Sequence, residues 1–324
     1  MMMKNSKMYL VLIVFLFSVS TAMADSVAYT KFHFEYNWDL DEKDGKDNAG
    51  LYSRSSLIGV DGSKDRYFWR IEWQMDGNVD LGKDVFNVQI AKRDQYIGLK
   101  LSGWEVLAGR MLMPHSALTG KANIFENSFV DYRNVLSSAA NQRQGNSLRV
   151  KKTVASNIQL DFGTTVGNVK NGVYDLGFKG SIVSASVRSS ISAISAGLAV
   201  AKFSQLGDGL DDESSIQALI SPDLGEGSLA LSAVYERLNN AKIDAVFVSG
   251  RSLEINHFAF VSGFYGHKWQ DGENFERQYG AGLELGMGKE AKLYAVFTNK
   301  AIYQAADEEW KGEDLLYIGL IKRY

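Results

Sequence analysis

The sequence predicts an all-β chain, a transmembrane antiparallel β-barrel of sixteen strands. Three observations predict it. Apolar and polar residues alternate with period two in segment after segment. Short turns alternate along the chain with longer, charged connections. Past the N-terminus, stretches free of Asp, Glu, Lys and Arg reach only thirteen residues, as at Ser189–Ala201, against the roughly 20 that a spanning helix needs.

The N-terminus has a pattern of its own. Lys4 and Lys7 precede an almost wholly apolar run, Met8 to Val19, and Ala22-Met23-Ala24 supplies a small-x-small cleavage site. Residues 1–24 are therefore expected to be a cleaved secretory signal, with the mature chain beginning at Asp25 and 25–324 forming one barrel. Loss of Lys4 and Lys7 takes the formal net charge from −3 to −5.

Strands follow in order. Phe32, Phe34, Tyr36 and Trp38 alternate with Lys31, His33 and Glu35; Tyr67, Trp69, Ile71 and Trp73 alternate with Arg66, Arg70, Glu72 and Gln74, with Phe68 out of phase. Ile97, Leu99 and Leu101 alternate with Gly98 and Lys100, Leu148 and Val150 with Arg149 and Lys151, and Leu229, Leu231, Ala233 and Tyr235 with Ser228, Ser232 and Glu236. Each reads as a strand with one greasy and one polar face. The short connections are Gly62–Asp65, Ser102-Gly103, Leu224–Gly227 and Gly286–Lys289; the longer ones are Asp39–Gly50, Asp76–Asp84, Gly207–Glu213, Gln270–Asn274 and Gln304–Asp314. One very long segment, Met111 to Arg143, interrupts the series. Gly172–Ser190 is expected to be a single long strand, because an even count brings both termini to one side of the membrane.

Composition excludes several chemistries. Without cysteine there is no disulfide framework, no thiol nucleophile and no thiolate metal site. The near-balanced charge does not suit bulk electrostatic grip on nucleic acid. The four histidines, His33, His115, His257 and His267, form no His-Glu-x-x-His pair, and neither a Gly-x-Ser-x-Gly elbow nor a phosphate loop occurs. The acidic run Asp39–Gly45 places Lys43 where a calcium loop needs an oxygen ligand. Gly280-Ala281-Gly282 lacks the third glycine of a dinucleotide fingerprint and sits in a strand pattern. No enzyme activity, metal or cofactor is expected.

Gln95-Tyr96-Ile97-Gly98-Leu99, then Leu107-Ala108-Gly109-Arg110 and Pro114, followed by Arg143-Gln144-Gly145-Asn146-Ser147-Leu148-Arg149-Val150, resemble the general diffusion porins of Gram-negative outer membranes. The final Leu316, Ile318, Leu320 and Tyr324, interrupted by Lys322, resemble the C-terminal signal read by the outer-membrane assembly machinery. The resemblance implies a homotrimer in the outer membrane, among lipids and lipopolysaccharide, through which ions and small hydrophilic solutes diffuse passively. It also implies that a third extracellular loop, about Met111–Arg143, folds inward to narrow the lumen. Glu126 and Asp131 would then face wall cations chosen by strand parity: Arg54, Arg70, Lys100, Arg110 and Arg149. A substrate-selective channel for oligosaccharides or an anion is the alternative, followed by a structural or adhesive barrel with an occluded lumen.

Overall fold

A computed structural model describes residues 26–40, 50–80, 85–119, 135–136, 143–165, 168–170, 173–175, 182–191, 194–203, 213–222, 230–251, 259–287, 290–304 and 309–324. The expected signal with Ala22, Ala24 and Asp25, the acidic run 41–49, and Glu126 and Asp131 lie outside the described residues.

The chain begins with β1 (Ser26–Asp39), β2 (Gly50–Lys64), β3 (Tyr67–Asp80), β4 (Val85–Leu101) and β5 (Trp104–Leu112), then a short helix, α1 (Pro114–Thr119). It continues with β6 (Arg143–Ala155), β7 (Ile158–Thr165), β8 (Asn168–Lys170), β9 (Val173–Asp175), β10 (Ile182–Ile191), β11 (Ile194–Phe203), β12 (Glu213–Pro222) and β13 (Ala230–Leu238). The last strands are β14 (Ile243–Arg251), β15 (Ala259–Gln270), β16 (Glu273–Gly286), β17 (Ala291–Gln304) and β18 (Glu309–Arg323). Among the described residues sixteen of these strands close into one antiparallel barrel, each beside its sequence neighbour, while β8 and β9 pair only with each other. The seam is sealed by β1 against β18, in register from Lys31↔Arg323 to Asp39↔Leu315. Closure leaves no sheet edge unpaired, which backbone in a bilayer requires.

The even count stands, but one expectation is corrected. Gly172–Ser190 is not one strand: Val173–Asp175 turns back on Asn168–Lys170, and the wall strand is Ile182–Ile191, paired directly with β7 from Val183↔Thr164 to Ser189↔Ile158. Three connections expected to be long are also shorter, and in the first, Asp76–Asp84, the residues Asp76 to Asp80 already belong to β3 and pair with β4. Gln270 pairs with Glu273 across an Asp271-Gly272 turn whose φ values are 54° and 86°, the left-handed pair an Asp-Gly hairpin favours. Gln304 already pairs with Glu309, so most of Gln304–Asp314 is strand.

Side-chain parity sorts the two faces. Ile97, Phe162, Leu198, Ile216, Val248, Leu283, Phe297 and Ile318 are exposed on the outer face, the apolar band of a wall in lipid. Leu316, Ile318 and Leu320 share that face, and the out-of-series Lys322 sits with its ammonium 5.1 Å from the Tyr324 ring centroid and 3.7 Å from Glu290. Phe68, out of phase in the sequence, lies with the inward set instead: it pairs with Gly98, and Lys100 Nζ stands 5.4 Å from its ring.

The inner face is not uniform. From β11 round to β18 an apolar cluster of Ala199, Leu219, Val234, Phe247, Phe264, Val296, Tyr317 and Ile321, which also holds Leu118 of α1 and Val135 and Leu136, lies among buried charges such as Glu236, the Lys268–Glu276 pair and Glu284 with Arg251 and Lys292. Glycines on the wall make room for the inward segment. A Cβ at Gly163 would lie 2.7 Å from Pro114 Cδ, and one at Gly266 would lie 2.4 Å from Val135 Cγ2. His115 Nε2 is 2.7 Å from Ser215 Oγ, on the inner register of β12. The helix, beside β7, β10, β11 and β12, and Val135-Leu136, beside β15, are thus lodged inside the barrel. The stretches 120–134 and 137–142 lie outside the described residues.

Candidate functional site

The inner wall from β2 to β7 carries a row of charges, in which four arginines each meet a carboxylate. Arg70 donates from Nε to Asp61 Oδ1 at 2.7 Å and from Nη2 to Oδ2 at 2.6 Å, a fork-to-fork pair between β3 and β2. Arg93 pairs with Glu72, which also accepts from Tyr29 at 2.8 Å, and its Nη1 donates to Gln74 at 3.0 Å. Arg143 donates to Asp94 from Nε at 2.8 Å. Arg149 grips Asp161 with Nε and Nη2, and its Nη1 donates to the Leu112 carbonyl at 2.7 Å.

Ordinary strand alternation places Arg70, Glu72, Arg149 and Asp161 on this face. A bulge places the others. Between Ile71↔Gln95 and Trp73↔Lys92, two residues of β4, Arg93 and Asp94, oppose the single Glu72 of β3. The extra residue lets neighbouring side chains both turn inward, one to Glu72 and one to Arg143. Parity alone misses Arg93 and Asp94. The signal that would have found them is the run Lys92-Arg93-Asp94, three consecutive charges inside a strand, where strict alternation would send at least one into lipid.

The expected basic residues are not all brought together. Arg70 and Arg149 line the charged wall. Lys100 faces inward but lies at the short-turn end of β4, six residues from Asp94, about 20 Å along the strand. Arg54 is in β2, with its side chain outside what is described. Arg110 is corrected: it pairs with Gln95, which pairs with Ile71, so it falls on the outward register of Ile71, Ile97 and Ala108. Its Nε donates to the Lys92 carbonyl at 3.0 Å instead of joining the row. Plain alternation of β5 from Ala108 to Arg110 places it on that outward register. Gly109 adopts φ 137° and approaches β4 so closely that a Cβ would stand 2.2 Å from the Gln95 carbonyl oxygen, and the pairing with β6 slips between Gly109 and Met111.

The row is neutralised pair by pair. Arg70, Arg93, Arg143 and Arg149 are matched by Asp61, Glu72, Asp94 and Asp161. Such a wall presents strong local dipoles with little net charge. Lower down, towards the short turns, the matching loosens: Arg188 Nη2 donates to the neutral Gln159 amide at 2.6 Å, and Lys151 pairs with Glu105 at 3.7 Å.

No family model and no curated protein matches the sequence. Solved structures do match in fold. The anion-selective porin from Comamonas acidovorans superposes with a TM-score of 0.75 at 16% identity, over 92% of this chain and 99% of that one. Salmonella typhi OmpF, in complex with daunomycin, gives 0.74 at 12% identity over 92% and 97%. A triple mutant of the Rhodopseudomonas blastica porin gives 0.66 at 14% identity over 92% and 100%. This chain has the closed sixteen-stranded barrel fold of those porins over almost its whole described length.

Proposed function

We propose that this chain is an outer-membrane channel through which ions and small hydrophilic solutes diffuse passively. The observation that carries the reading is a barrel lumen narrowed by an inward helix and lined by fixed charges. The helix lodges inside the wall with an apolar cluster, and β2 to β7 carry a row of paired arginines and carboxylates. Charges fixed along one side of a narrow aqueous space orient water and dipolar solutes and disfavour apolar ones, while width sets the size limit. In this reading Met111–Arg143 is the third extracellular loop. Arg70 and Arg149, joined by Arg93 and Arg143, form the basic side of the constriction, with Arg54 near it and Lys100 at the periplasmic mouth. Glu126 and Asp131 form the acidic side.

The same proposal includes export by residues 1–24 with cleavage after Ala24, and recognition of Leu316, Ile318, Leu320 and Tyr324 by the outer-membrane assembly machinery. It includes lipopolysaccharide around the loops and association into homotrimers, for which the outward aromatics of β1 and β3 supply apolar area. The experiment is reconstitution of the refolded protein into planar bilayers. Large, weakly selective conductance arriving in threefold steps supports the reading. A correctly refolded protein that never conducts overturns it.

A further inference from the structure

We infer that the crevice beneath the inward helix binds a small dianionic oxyanion of the phosphate class. The inference rests on the channel reading for access but on its own residues for chemistry. The crevice holds about 250 Å³ and is lined by Arg149, Lys151, Gln159, Asp161, Ser186 and Arg188 from the wall, and roofed by Ala117 and Leu118 of α1. All six wall residues lie on the inward register of β6, β7 and β10, where Lys151 pairs with Asp161, Ser186 with Asp161, and Arg188 with Gln159.

The charges do not cancel here as they do higher on the wall. Asp161 is taken up by Arg149, whose Nε and Nη2 both donate to it. Arg188 then remains without a carboxylate, spending one donor on the uncharged Gln159 amide, while Lys151 is paired at 3.7 Å with Glu105 of β5, which is outside the crevice lining. The crevice lining thus carries more positive than negative charge, and an anion in a partly enclosed cavity offsets that excess. The further donors of Arg188 form a planar fork suited to a tetrahedral or carboxylate oxyanion, and Lys151 adds a point charge. The Ser186 hydroxyl and the Gln159 amide complete a polar lining, and the Leu118 roof limits water. The volume fits an ion of phosphate size with a few waters and leaves no room for an oligosaccharide.

The test uses inorganic phosphate and the full refolded chain. Isothermal titration of phosphate into the protein in detergent micelles reads the site without any current. In planar bilayers, phosphate added to potassium chloride at constant ionic strength reads it from the lumen. Wild type should show saturable binding in the millimolar range and a saturable fall in current at the same concentrations. Arg188→Gln and Lys151→Gln should each weaken both by about tenfold, and the double variant should abolish them. Lys242→Gln, the same loss of charge at an exposed turn, should leave both as in wild type. Binding that is absent from wild type, or equally tight in the double variant, overturns the inference whether or not the protein conducts. Binding as expected in a protein that never conducts overturns the channel reading alone.

Discussion

Arg149 holds two parts of the chain together. Its Nη1 donates to the carbonyl of Leu112, the last residue of β5 before the helix, at 2.7 Å, while its Nε donates to Asp161 across the sheet at 2.9 Å. The point where the chain leaves the wall for the lumen is thereby fixed to the wall by a side chain that is itself held by a carboxylate. Asp161→Asn should leave a buried guanidinium without its counter-charge and cost roughly 3 kcal/mol. Urea unfolding in lipid vesicles measures it. Arg149→Lys should not restore the arrangement, because an ammonium cannot make three directed contacts in one plane.

Pairwise neutralisation makes the wall sensitive to the loss of one acid. Glu72→Gln removes the carboxylate facing Arg93 and leaves net positive charge at mid-wall. The reversal potential in a salt gradient should move towards the anion value. Arg93→Gln should move it the opposite way, and the double substitution should lie near wild type. Equal shifts in one direction for both single variants would contradict the pairing.

Neighbouring residues of β12 should respond oppositely to charge. Ile216 is exposed on the outer face and Gln217 is buried on the inner one, where its amide donates to Glu236 at 2.7 Å. Ile216→Arg puts a cation into hydrocarbon and should cost roughly 2–4 kcal/mol if it lies near the bilayer midplane. Gln217→Glu should instead place two carboxylates side by side and lose stability as pH rises through the carboxylate range. Unfolding curves at two pH values separate the two effects.

The seat of Val135 tests how the inward segment is held. Gly266→Val would add a branched side chain where a Cβ alone already stands 2.4 Å from Val135 Cγ2. The segment should be pushed off the wall, with a stability loss of about 1–3 kcal/mol and increased open-channel noise in single-channel records.

The alternation of residues such as Tyr67, Trp69, Ile71 and Trp73 with Arg70, Glu72 and Gln74 was enough, by itself, to determine the fold class and the side of the wall each strand residue faces. A strand between lipid and water leaves no other arrangement for that pattern. The even count followed from the same constraint, and Arg70 and Arg149 were legible as inward cations. Local pattern does not encode where alternation breaks. The bulge that turns both Arg93 and Asp94 inward and the return of Val173–Asp175 on Asn168–Lys170 are each set by register with a neighbouring strand. Tertiary structure alone decided which acid neutralises which arginine, and that Arg188 meets an amide instead of a carboxylate. Those relationships join residues many positions apart in the chain, and only the closed sheet fixes their distances.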